Sequence, residues 1–112
     1  MSAMTREQWR GVFPAITTPL TEHDTVDHDF LAEHARRLVA AGSRAIVPLG
    51  SLGEGATLGF DEKVAVLRTL VTAVGDRVPV VAGIAALSTK EAAALACAAA
   101  DAGCGGIMVL PP

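Results

Sequence analysis

The sequence predicts an α/β chain whose strands lie parallel. Three observations carry this: four short apolar runs without polar alternation, helix-period stretches between successive runs, and run starts near Gly11, Arg44, Val78 and Gly105 that lie roughly 30 residues apart, the length of a βα unit. Each connection is long enough for the crossover helix that a parallel strand pair needs.

After a polar lead-in, Gly11 to Thr17 (GVFPAIT) is the first predicted strand, and Thr18-Pro19 is the turn that closes it. Asp27 is placed to cap a helix running to Ala41, with Leu31, Ala35 and Leu38 on one face, Arg36 and Arg37 on the other, and Gly42 as the stop. The second strand is Arg44 to Leu49 (RAIVPL). A glycine-rich loop, Gly50-Ser51-Leu52-Gly53-Glu54-Gly55, leads into a helix from Phe60 to Val74, whose predicted apolar stripe is Phe60, Val64, Leu67, Val71 and Val74. Gly75-Asp76 ends it. The third run, Val78 to Ile84 (VPVVAGI), has the unbroken apolar character of a strand buried on both faces. Ser88-Thr89-Lys90-Glu91 matches the S-x-x-E capping box, in which hydroxyl and carboxylate both satisfy open amides at a helix start. That helix runs to Ala102 and stops at Gly103; Gly106 to Leu110 (GIMVL) is the fourth strand, followed by Pro111-Pro112.

The resulting β-α-β-α-β-α-β order fits half of a (β/α)8 barrel and a small doubly wound sheet equally well, and a complete barrel needs about 250 residues. The chain stops at the carboxyl end of a strand with no helix to cover it, so it reads as truncated.

Composition narrows the function classes. With 112 residues, 51% hydrophobic and 19% charged, and a mean hydropathy of +0.43, the chain holds enough apolar surface for one core and is not a disordered acidic or basic segment. The apolar count leans on 21 alanines against three Phe, one Trp and no Tyr, which suits helices lying close on a sheet and not a stacking platform for nucleic acid. A net charge of −3 with no basic block disfavours phosphate-backbone binding, so no nucleic-acid partner is expected. The alanine-rich run Ala92 to Ala100 is far short of the ~20 residues of a spanning helix, so no membrane association is expected. Met1 to Arg10 lacks an apolar core for a secretory signal, and the chain reads as cytoplasmic, with Cys97 and Cys104 as a reduced, buried pair.

In either architecture ligands bind outside the carboxyl ends of the strands, which are followed here by Thr17 to Asp27, Gly50 to Gly59, Ala85 to Ser88 and Pro111 onward. The second segment is the informative one. Its glycines let backbone amides approach a small anion, and Ser51 offers a hydroxyl that donates, accepts or relays a proton, although the same residues also make a plain βα turn. The order G-x-x-G-x-G is not the dinucleotide fingerprint, no Lys-Ser/Thr pair follows, and Glu54 adds negative charge, so a carboxylate fits better than a phosphate. Glu54 has no second carboxylate in its loop and is read as bonding loop amides. His23, His28 and His34 share no helical face, so no metal site is expected.

Gly11 to Leu20 (GVFPAITTPL), Ala45 to Leu58 (AIVPLGSLGEGATL) with Asp61-Glu62-Lys63, Arg77 to Gly83 (RVPVVAG), Ser88-Thr89 with Glu91, and Gly106 to Pro111 together resemble the dihydrodipicolinate synthase and N-acetylneuraminate lyase family. The resemblance runs in order over nearly the whole chain, and its most specific part is G-[ST]-x-G-E followed by A-T-L. It implies a (β/α)8 barrel, of which residues 1–112 would be the N-terminal half of a single domain: the first three βα units and the fourth strand. It further implies a homotetrameric lyase, an aldolase or synthase, that holds pyruvate or a related 2-keto acid as a Schiff base on a lysine, with no cofactor. Alternatives are a 2-keto-3-deoxy sugar acid dehydratase or aldolase of the same fold, and a non-catalytic half-barrel binding module.

The resemblance assigns roles by position. Ser51 looks like the catalytic hydroxyl of the family's proton relay, and Gly50, Ser51 and Leu52 line the substrate carboxylate. Leu52 is a departure, because many members carry a second Thr there and Leu offers only its backbone amide. Gly59 replaces a Ser at the next helix cap, and Pro112 stands where an aromatic often follows the proline. The Schiff-base lysine and relay tyrosine fall beyond Pro112. Attack on a ketone needs an unprotonated amine, and Lys63 and Lys90, near the starts of predicted surface helices and beside Glu62 and Glu91, lack a setting that would provide one.

Overall fold

The computed structural model describes residues 3–111. Proline shapes its sheet. The four apolar runs lie side by side and parallel, but Pro14, Pro48 and Pro79 each lack the N–H that a ladder requires, so the first two runs are extended segments joined by single bridges, Ala15 to Val47 and Ile46 to Val80. Continuous strands occur only where the donors are uninterrupted: β1 (Val81–Ile84) and β2 (Gly106–Val109) pair in parallel with Val81 opposite Gly106 and Ile84 opposite Val109. Hydrogen bonds carry the same order outward from β1: Val81 N–H donates to Ile46 O (2.9 Å), and Ile16 N–H to Val47 O (3.1 Å). The predicted strands at Gly11–Thr17 and Arg44–Leu49 are thus present as runs but not as regular strands.

Three helices cover one face: α1 (His28–Ala40), α2 (Phe60–Val74) and α3 (Thr89–Ala102). The Asp27 carboxylate accepts from Phe30 N–H at 3.1 Å and starts α1, which ends one residue before the sequence predicts. Only half of the predicted capping box forms at α3. The Ser88 hydroxyl accepts from Glu91 N–H (3.2 Å), whereas the carboxylate arm appears at α2, where Glu62 Oε1 accepts from the N–H of the cap residue Gly59 (2.8 Å). Two 3₁₀ turns, Arg6–Trp9 and Gly55–Thr57, were not anticipated by the apolar pattern.

The core lies between sheet and helices. Ile16, Ile46, Val80, Ala82 and Ile84 point from the sheet into Leu31, Ala35 and Val39 of α1, Leu67, Leu70 and Val74 of α2, and Leu95 and Ala99 of α3. The opposite face carries a smaller cluster of Ala45, Val47 and Val81 under Met4 and Phe13. The α2 stripe differs from the predicted one. Its buried face is Lys63, Val66, Leu67, Leu70 and Val74, while Phe60 is 40% exposed. Apolar residues occur on two sides of this helix, and the four-carbon stem of Lys63 lets a cation occupy the first turn of the buried side.

Candidate functional site

The carboxyl ends of the parallel segments gather the loops that begin at Thr17, Gly50, Ala85 and Leu110. The loop Gly50 to Gly55 turns back on itself: Gly50 O accepts from the amides of Gly53 (3.1 Å) and Gly55 (3.3 Å), and Ser51 O from that of Glu54 (3.2 Å). The first loop ties it down, because the buried Thr18 hydroxyl donates to Gly53 O at 2.6 Å. Gly50 is buried, and a β-carbon placed on it would stand 3.9 Å from Met108 Cε of β2. Ser51 and Leu52 are exposed, Leu52 to 68%. The structure therefore brings Gly50, Ser51 and Leu52 together at the sheet's carboxyl edge, with Gly50 against the sheet and the two side chains free of it.

Glu54 differs from its sequence reading. Its backbone is left-handed (φ 55°), its side chain is exposed and makes no cap hydrogen bond, and its carbonyl accepts from both N–H and hydroxyl of Thr57. The backbone of Glu54, and not its carboxylate, organises the loop.

Lys63 is not on the surface where its charge had placed it. It is 8% exposed, and its Nζ donates to Ala85 O at 3.4 Å, which joins α2 to the segment that follows β1. It lines a cleft of about 340 Å³ together with Ala56, Leu58, Ala85, Glu91 and Leu110. Gly50, Ser51 and Leu52 do not line that cleft. The helical spacing of Lys63 with Leu67, Leu70 and Val74 was the available signal for its burial; its charge hid it. Nothing in the sequence pointed to the Thr18 bond.

The remaining candidates stand apart. His28 Nδ1 is 2.6 Å from Thr69 Oγ1 and joins α1 to α2, His34 stacks on Phe30, and His23 is exposed. Among the described residues no three His, Cys, Asp or Glu side chains are grouped to hold a metal ion. The two cysteines are free but not both buried: Cys97 is exposed on α3, while burial pushes the Cys104 thiol up to about 11.

Residues 8–112 match the Dihydrodipicolinate synthetase family. The chain belongs to that family. It is 47% identical to the 4-hydroxy-tetrahydrodipicolinate synthase of Natronomonas pharaonis over 109 residues, which are 97% of this chain and 37% of that protein. Among solved structures it superposes with a TM-score of 0.86 and 33% identity on YagE, a prophage protein of the dihydrodipicolinic acid synthase family from E. coli K12 in complex with pyruvate, over 90% of this chain and 34% of that one. It superposes with a TM-score of 0.87 and 28% identity on the N-acetylneuraminate lyase of Mycoplasma synoviae, over 94% of this chain and 36% of that one. The chain thus spans between 34% and 37% of the length of these relatives. Like theirs, its fold is α/β, and none of its helices among the described residues is long and apolar enough to cross a membrane.

Proposed function

We propose that this segment supplies the first three βα units and the fourth strand of a (β/α)8 Schiff-base lyase, an aldolase or synthase acting on pyruvate or a related 2-keto acid. The observation that carries the reading is the Gly50-Ser51-Leu52 loop, folded over the carboxyl end of a parallel sheet in a chain of the dihydrodipicolinate synthetase family. A pyruvate complex is known for the relative YagE, which supports the substrate class.

In this reading a lysine outside residues 1–112 attacks the ketone carbon. The carbinolamine then loses water, which requires one proton delivered to the leaving hydroxyl and one removed from the nitrogen. Ser51 carries protons along that path, since a hydroxyl accepts from one neighbour while donating to the next. The substrate carboxylate is held by the amides of Ser51 and Leu52, and Leu52 adds no hydroxyl to that grip. Lys63, whose Nζ donates to Ala85 O at the start of the segment after β1, serves α2 and the sheet and is not assigned the nucleophile's role. The whole protein works as a cytoplasmic homo-oligomer with no cofactor.

Turnover of the whole protein distinguishes the substrates. Pyruvate release from 2-keto-3-deoxy sugar acids is measured beside condensation of pyruvate with aldehyde acceptors. Pyruvate release or condensation supports an aldolase or synthase, loss of water from a 2-keto-3-deoxy sugar acid without pyruvate release supports the dehydratase, and a protein that does none of these is a binding module.

A further inference from the structure

A bulky buried residue holds a backbone conformation that suits glycine. Leu49, the last residue before the loop, has φ 68° and is 2% exposed. In the left-handed region Cβ presses on the neighbouring carbonyl, and only Gly, Asn and Asp visit it routinely. Two other described non-glycine residues share a positive φ, Asp24 at 61° and Glu54 at 55°, and both are exposed and polar. Leu49 instead sends its side chain into the core between sheet and helices. Glycine would relieve the backbone, but it would forfeit that anchor.

The turn is also gripped from outside. A β-carbon at Gly83 of β1 would stand 2.8 Å from both the carbonyl carbon and oxygen of Leu49, and one at Gly53 would stand 2.9 Å from Leu49 N and 3.0 Å from Ile16 O. At Gly55 it would collide with the Leu49 carbonyl oxygen. Three glycines thus admit the Leu49 backbone at a separation no side chain would permit. Gly83 N–H donates to Pro48 O at 2.9 Å, so β1 fixes the approach to the turn. The next residue, Gly50, holds the loop's two return amides.

We propose that Leu49 is a positioning residue for the Ser51 loop: its buried side chain enforces a left-handed turn, gripped by Gly53, Gly55 and Gly83, that sets where Gly50 and Ser51 stand over the sheet. This rests on the proposed role of Ser51 and adds what holds Ser51 in register. Strain kept at the root of a functional loop, when the surrounding structure over-determines it, is a means of pre-organisation.

The test compares Leu49→Gly, Leu49→Met and Leu67→Ala in the whole protein. Leu67 is fully buried in the same core but lies on α2, away from the loop. Leu49→Gly is expected to lower kcat about 10²-fold, the scale of a misplaced catalytic group. It should also speed hydrogen exchange of the peptide spanning 50–55 while β1 stays protected. Leu49→Met keeps an unbranched Cβ and an apolar anchor, so it should restore both. Leu67→Ala should lower the Tm and leave kcat near wild type. A Leu49→Gly protein with wild-type exchange in 50–55, or equal kcat losses in Leu49→Gly and Leu67→Ala, would overturn the proposal. If Leu49→Gly does not fold, Leu49→Ala takes its place. If the wild-type protein turns over no 2-keto acid, the functional reading fails, yet the exchange comparison still decides whether Leu49 holds the loop.

Discussion

Ser51 and Leu52 stand next to each other on one loop and predict opposite responses to substitution. Ser51→Ala removes the only hydroxyl between Gly50 and Gly55, so kcat of the whole protein is expected to fall ~10²-fold while KM for the 2-keto acid changes little. Steady-state kinetics check this, and a wild-type kcat would reduce the loop to a plain turn. Leu52→Thr adds a hydroxyl where Leu52 is already 68% exposed, so it costs no core packing. A hydrogen bond to a charged carboxylate contributes about 1.5–3 kcal/mol at best, so pyruvate affinity should rise by up to ~10²-fold. Unchanged or weaker pyruvate binding by calorimetry would place the carboxylate elsewhere. The candidate residues were legible at this scale because glycine spacing and a hydroxyl survive as letters. Burial of Lys63 and the idle carboxylate of Glu54 were not, because charge is a poor guide to position when a long stem reaches from core to cleft, or when the backbone does the bonding.

The helices were the most legible elements, and their termini show why. Asp27, Ser88 and Gly103 each place a fixed chemical group at a fixed offset, and the structure uses all three as caps, Gly103 with a left-handed φ of 100°. Ser88→Ala is expected to cost about 1 kcal/mol, read as a lowered urea midpoint with an unchanged m-value. A loss below a few tenths would mean that the Ser88 hydroxyl, the only arm of the box that forms, contributes nothing. The sheet was legible as apolar runs but not as strands. Pro14, Pro48 and Pro79 were in plain view, yet which ladder bonds they delete depends on register, and the register comes from partners in distant parts of the chain. The α2 stripe was turned for a similar reason. Two apolar faces compete on that helix, and contact with α1 and α3, not periodicity, decides which one is buried.

The described residues form a slab of 34 × 33 × 21 Å, with helices on one face and the short N-terminal segment over part of the other. Met4 N–H donates to Gly105 O at 2.9 Å, and a β-carbon on Gly106 would stand 2.9 Å from the Trp9 ring, so this segment packs over the amino end of β2. On the helix side β2 is bare: Ile107 is 43% and Val109 59% exposed. An edge strand with exposed apolar residues pairs readily with another chain. The 112-residue chain alone is therefore expected to elute from size exclusion as oligomer or aggregate; a sharp monomer peak with cooperative unfolding would indicate a self-sufficient small sheet domain.

Borohydride reduction of the whole protein in the presence of pyruvate, followed by intact mass and peptide mapping, bears most directly on the Schiff-base lyase reading. Imine formation removes one water and reduction adds two hydrogens, so a Schiff-base lyase yields a stable adduct of one pyruvate less its ketone oxygen per chain, on a lysine outside residues 1–112. Ser51→Ala should form the same adduct more slowly. Absence of an adduct with pyruvate and with every other 2-keto acid tried, or an adduct mapped to Lys63 or Lys90, would contradict it.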